Sequence, residues 1–170
     1  MEEQFLKAQA MPEFTIRCAT PADAVEIARL IRELAEYEKL AHMAVGTPQM
    51  VSEALFGARP AAEAMMAERG GRAVGFALYF TTFSTFLCKP GLYLEDLFVE
   101  PAHRGHGIGK ALLARLASLA VERDCGRLEW RVLDWNAPSI RFYESLGAKL
   151  MPEWELVRMT APEFTALASR

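Results

Sequence analysis

The sequence predicts one α/β domain built around a mixed β-sheet. Three observations carry this. Short alternating or wholly apolar runs of strand length interleave with longer runs whose apolar residues recur at helical spacing. The stretch Leu92–Gly109 reads as a strand, a tight glycine loop and the start of a helix, which is the unit of α/β folds. No repeat, low-complexity tract or linker interrupts the chain, and 170 residues at 52% apolar content can fill one substantial core.

The elements follow in order. Residues 1–12 are assigned to an N-terminal extension and 13–170 to the domain; the acidic start with no long apolar run does not read as a secretory signal. Glu13–Cys18 alternates and forms the first strand. Thr20-Pro21 is a helix start, and Val25, Ile27, Ala28, Leu30, Ile31 and Leu34 continue it as an apolar stripe to about Tyr37. Thr47-Pro48 opens a second helix that Gly57 closes. Ala61–Ala67 and Arg72–Phe83 are two strands joined at Gly70-Gly71, the second apolar enough for a sheet centre buried on both faces.

Ser84–Gly91 is a loop, and Leu92–Val99 a strong strand. The helix 108–123 buries Ile108, Leu112, Leu116 and Leu119 and exposes Arg115, Glu122 and Arg123. Arg127–Leu133 is a strand, and Asn136 caps a short helix stopped by Gly147. Trp154–Met159 is a sixth strand, and Thr160 opens a terminal helix.

Several functions are disfavoured by composition. A formal charge of −3 argues against a nucleic-acid binder, which shows a basic face. No run reaches the roughly 20 apolar residues of a membrane span. Cys18, Cys88 and Cys125 have no paired spacing and read as free buried thiols in a reducing cytoplasm. His42, His103 and His106 do not make a metal site; the last two flank the glycine loop as solvated or phosphate-facing rings.

The chemistry concentrates in Leu92–Lys110. The loop Arg104-Gly-His-Gly-Ile-Gly109 directs backbone N–H groups and a helix N-terminus at one point, which suits phosphate. It is not a Walker loop, because Arg104 stands where that motif needs Gly and Ala111 where it needs Ser or Thr. It also fails the dinucleotide spacing. Glu95 and Asp96 are adjacent carboxylates near the strand's end; a regular strand would send them to opposite faces.

On these residues the sequence resembles the GNAT family of N-acetyltransferases, whose central motif R/Q-x-x-G-x-G/A is met by Arg104, Gly107 and Gly109. Leu92–Val99, Asp134–Ile140, Phe142–Ala148 and Arg29–Glu38 are similar to its diamine (spermidine/spermine) branch, and Val132–Asn136 leans toward the thialysine-acetylating side. Ser84-Thr85-Phe86 stands where the polyamine enzymes carry Asp-Pro-Trp, so the resemblance points to a small diamine or a lysine-like amino acid more than to spermidine.

The resemblance implies a sheet of about six or seven strands, direct acetyl transfer from acetyl-CoA to a primary amine, and a homodimer. It implies that Arg104, Gly105, His106, Gly107, Ile108, Gly109 and Lys110 hold the pyrophosphate and that Leu97, Phe98 and Val99 pair with the pantetheine arm. Asn136, Ser139 and Tyr143 contact CoA, Tyr143 also serving as the acid for the leaving sulfur. Glu95 is the base, or only an attractor of the cation; a strand bulge, which the family has here, would bring Asp96 to the same side. Tyr37, Glu38, Phe86, Glu153 and Trp154 complete the acceptor site, although Phe83, Phe86, Trp135 and Trp154 read as core from composition. The rival activities are acetyl transfer to a protein amine, or acyl-CoA binding without turnover.

Overall fold

In a computed structural model describing residues 13–169, one five-stranded sheet carries the fold, in the order β1-β2-β3-β4-β5. The strands are β1 (Thr15–Cys18), β2 (Glu63–Arg69), β3 (Arg72–Ser84), β4 (Lys89–Val99) and β5 (Leu128–Trp130). All neighbours are antiparallel except β4 and β5, which run parallel and need a crossover. The helix α3 (Ile108–Glu122) supplies it.

Two faces of the sheet are covered, as the apolar run of β3 requires. Residues Ala73–Ala77 are all buried. On one face α1 (Ala24–Tyr37) and α2 (Pro48–Phe56) pack Ile27, Leu30, Leu34 and Leu55 onto Ala64, Met66, Phe76 and Phe98. On the other, α3 contributes Ile108, Leu112, Leu113 and Leu116, each removed from solvent. Leu119 is only half-buried, and Arg123 is not a solvated charge. Its guanidinium forks onto Glu63 at 2.6 and 2.7 Å, stapling the end of α3 to the sheet.

The helix starts are where proline and threonine place them. Thr20 and Asp23 form a capping box ahead of α1, whose first turn is a 3-10 turn over Pro21–Asp23. Asp23 is also held by Arg17 through two bonds of 2.7 Å, which keep its carboxyl well below the ordinary range. Thr47 accepts from the Met50 N–H at the head of α2. Val25, assigned above to the apolar stripe of α1, is exposed.

Two expected features of the sheet differ. β4 begins at Lys89, so Ser84–Gly91 is a tight hairpin turn over residues 85–88 and not a loop; Cys88 takes φ +49° in it. Trp154–Met159 pairs with no strand among the described residues, so the sheet has five strands where six or seven were expected. Alternation in that segment marks β-compatibility, but a strand exists only where a neighbour supplies ladder hydrogen bonds.

Residues from Val132 onward form a separate unit. It contains α4 (Ala137–Ser145) and α5 (Ala161–Ala168). Asn136 caps α4 by accepting from the Ser139 N–H at 3.3 Å, Gly147 ends it at φ +92°, and Thr160 with Glu163 makes the capping box of α5. The extension assigned to residues 1–12 lies outside the described residues.

Candidate active site

The site is built along β4 and the loop that leaves it. β5 accompanies β4 only from Leu92 to Leu94, opposite Leu128–Trp130. The strand expected to run on to Leu133 stops there, and a bulge in β4 follows at once. Leu78 of β3 pairs with Asp96 but Tyr79 pairs with Leu94, so Glu95 is the extra residue. From Glu95 to Val99, no strand among the described residues pairs with the edge of β4 away from β3, leaving backbone N–H and C=O groups for another extended chain, apart from the Val99 carbonyl, which accepts from the Arg104 side chain.

The bulge also changes the facing of side chains. Asp96 pairs with Leu78 and Phe98 with Phe76, so both lie on the face covered by α1. Without the bulge Asp96 would face α3. At the end of α1 stand Tyr37 and the C-cap Glu38, both half-buried. Burial, then the charges of Glu95 and Glu38, push the Asp96 carboxyl up to about 6. Burial also raises Glu38 above its ordinary value. Glu95 is exposed. Three carboxylates thus share one electrostatic environment, which attracts a cation and includes one group able to hold or release a proton near neutral pH.

The glycine loop follows Glu100. Gly105 and Gly107 have φ of +79° and +81°, a conformation that costs a Cβ-bearing residue about 1–2 kcal/mol. Gly107 is the N-cap of α3 and its carbonyl accepts the first helical bond, from Ala111 at 2.9 Å. The N–H groups of Ile108, Gly109 and Lys110 therefore lie in the first turn, where no intrahelical acceptor exists. Open backbone donors at the positive end of a helix, beside an unpaired strand edge, fit a chain that carries a pyrophosphate and an extended amide arm.

The root of this loop is a charge cluster that the sequence did not announce. Glu100 is buried and accepts from Arg72 twice at 2.7 Å and from Arg29 once at 2.7 Å. Burial opposes its ionisation, but those bonds outweigh it and hold the carboxyl below its ordinary value. His103 sits 3.6 Å from Glu100 and 3.5 Å from Arg69, so its ring turns into the cluster and not toward the loop's open side. His106 is exposed and bonds the Arg104 carbonyl at 2.9 Å. The Arg104 side chain turns back as well, donating from Nε to the Val99 carbonyl at 2.9 Å.

The remaining candidates are placed as follows. Phe86, at the tip of the β3–β4 turn, is 95% exposed, and Phe83 beside it is also exposed. In the later unit, Trp135, Trp154 and Glu153 are exposed, Asn136 is buried, and Tyr143 on α4 is half-buried with its ring 5.4 Å from that of Phe142. The four aromatics read as core are thus exposed: Phe83 near the end of β3, Phe86 in the turn, Trp135 just before α4 and Trp154 in an unpaired segment. Cys18 and Cys88 are exposed and Cys125 intermediate, so the thiols are free, as expected, but none is buried. Among the described residues no group of three or more His, Cys, Asp or Glu is arranged to hold a metal ion.

Residues 28–148 match the model of the Acetyltransferase (GNAT) family. Thialysine N-epsilon-acetyltransferase of Bos taurus is 35% identical over 91% of this chain and 97% of its own length. L-ornithine N5-acetyltransferase of Arabidopsis thaliana is 32% identical over 89% of this chain and 86% of its own. The solved structure of an integron cassette protein from the V. cholerae mobile metagenome aligns with a TM-score of 0.80 at 27% identity, covering 95% of this chain and 100% of that one. With the family's glycine loop on a bulged strand and relatives of this kind along most of its length, the chain belongs to the GNAT acetyltransferase family and is an acetyltransferase.

Proposed function

We propose that the chain transfers the acetyl group of acetyl-CoA directly to a primary amine of a small cationic acceptor, a diamine or a lysine-like amino acid such as ornithine or thialysine. One observation carries this reading: the bulge at Glu95 places Asp96 on the α1 face, where Glu38 and Glu95 surround it with negative charge. The named substrates of the relatives, thialysine and ornithine, are amines of this class.

An alkyl amine with a pKa of about 10.4 is neutral in about one molecule per two thousand at pH 7, so the site must take up a proton. Glu95, through a water, and Asp96 act as the acceptor pair, and the raised pKa of Asp96 brings its basicity closer to what the step needs. Acetyl-CoA supplies a thioester that the neutral amine attacks, releasing a thiolate. Tyr143 donates its hydroxyl proton to that sulfur and regains one from the amide nitrogen, which sheds its extra proton as the intermediate collapses. The loop from Arg104 to Lys110 holds the pyrophosphate with its N–H groups, Leu97–Val99 pairs with the pantetheine amides, and Asn136 and Ser139 contact CoA. Tyr37, Glu38, Phe86, Glu153 and Trp154 bind the acceptor. No acyl-enzyme is required. The working form is a homodimer in the cytoplasm, the domain spanning residues 13–170.

The test is an acceptor panel with acetyl-CoA, reading free thiol, for the wild type and Tyr143→Phe. Turnover of ornithine, thialysine or short diamines supports the proposal; turnover of peptides and of no free amine overturns it. Tyr143→Phe is expected to lower kcat by about 100-fold with CoA affinity retained, whereas a wild-type kcat would remove Tyr143 from the chemistry.

A further inference from the structure

We propose that the Arg104 side chain is a positioning residue of the acceptor site, coupling the glycine loop to Tyr37 at the end of α1. Arg104 opens the glycine motif, and a guanidinium there is well placed by sequence to reach phosphate. Its actual course is different. Nε bonds the Val99 carbonyl at 2.9 Å, and the guanidinium carbon lies 4.5 Å from the centre of the Tyr37 ring and 5.7 Å from that of Phe98. One side chain thus touches the loop, the last residue of β4 and the last residue of α1.

The arrangement has a physical reason at α1. That helix carries no basic residue in its last turn, and the next cation along the chain, Lys39, lies beyond its C-cap. Arg104 brings one across from the loop, and a planar guanidinium stacks on a phenol ring where an ammonium would not. Tyr37 precedes Glu38, whose charge reaches Asp96. Whatever fixes the loop therefore fixes Tyr37 and, through it, the acidic face. A ligand that orders the loop favours the acceptor-ready position of Tyr37, and by linkage an acceptor favours the loop's bound form to the same degree. A stacking contact of this kind sets the expected coupling at about two- to five-fold. The inference rests on the proposed reading of Tyr37 and Glu38 as acceptor contacts.

Arg104→Lys decides between the two uses of the side chain, because lysine keeps the charge for phosphate but loses both the stack and the Nε bond. In steady-state assays its amine KM should rise about two- to five-fold while its acetyl-CoA KM changes less. Combining it with Tyr37→Leu should add little to the larger single effect. A rise confined to the acetyl-CoA KM, or additive effects in the double variant, overturns the coupling. A second readout needs no turnover. In protein labelled at tyrosine rings, the resonance lost in Tyr37→Phe should shift when CoA is added to the wild type and stay in place in Arg104→Lys. A shift in both proteins, or in neither, overturns the inference. If no amine is acetylated but the Tyr37 resonance behaves as stated, the acceptor reading fails and the loop-to-helix coupling stands.

Discussion

The bulge at Glu95 and the loop at Gly107 belong to the same strand–loop–helix unit, yet they depend on opposite kinds of chemistry. The loop presents backbone N–H groups, which carry no titratable proton and whose direction is set by φ at Gly105 and Gly107. The bulge presents side-chain carboxyls whose charge depends on burial, pH and each other. A ligand common to a whole family is well served by the first device. An acceptor that varies among relatives is better served by the second, because a carboxylate can be moved or replaced without rebuilding the backbone. Between them stands Glu100, anchored by Arg29 and Arg72, so the loop's backbone geometry is itself held by buried charge.

The largest expected effect tests that anchor. Glu100→Ala removes three charge-assisted bonds, although Arg72 is exposed and Arg29 keeps Glu26 and Glu33, and should cost about 3 kcal/mol in chemical denaturation. The Glu100 carboxyl is held below its ordinary value, so its contribution is present above the unfolded pKa and lost as pH falls into the acid range. A loss under 1 kcal/mol would show that the loop root does not depend on this cluster.

The next effect has the opposite sign. The Asp96 pKa is raised from 3.8 to about 6, so the folded state favours its protonated form. Stability is therefore lost as pH rises through this interval, by up to about 3 kcal/mol at pH above 6. Asp96→Asn removes that cost: it should melt at a higher temperature than wild type at pH 7.5, show little difference at pH 4, and acetylate amines poorly. A variant less stable at pH 7.5 would mean Asp96 is paired there and is no strained proton acceptor.

The smallest effect is local to the loop. A methyl at Gly107 meets no atom within 4 Å, so Gly107→Ala tests backbone conformation and not space. It should cost about 1–2 kcal/mol and raise the acetyl-CoA KM more than the amine KM. Equal changes in both would indicate that loop and acceptor site respond as one body.

Much of this was legible in the chain. Thr20-Pro21, Thr47-Pro48 and Asn136 each carry a local signal for a helix start, and each helix begins there because capping is settled within four residues. The hairpin at Gly70-Gly71 and the glycine loop are equally local, since positive φ selects glycine wherever the chain must turn that way. Trp154–Met159 shows the limit. Its alternation is the same kind of signal as that of β1, but pairing is a property of a neighbour and not of the segment.

The sequence by itself determined the glycine loop, the family and the presence of two carboxylates beside an expected bulge, because motif spacing and glycine torsions are short-range facts. Only the tertiary structure decided what those carboxylates are. Their facing depends on a one-residue slip against β3, and the pKa of Asp96 depends on its burial, then on Glu95 and on Glu38, the last 58 positions earlier in the chain. The same holds for Arg104, whose motif position suggested phosphate and whose guanidinium lies on Tyr37 instead. Long side chains answer to whatever the fold brings within reach, and no pattern along the chain records that.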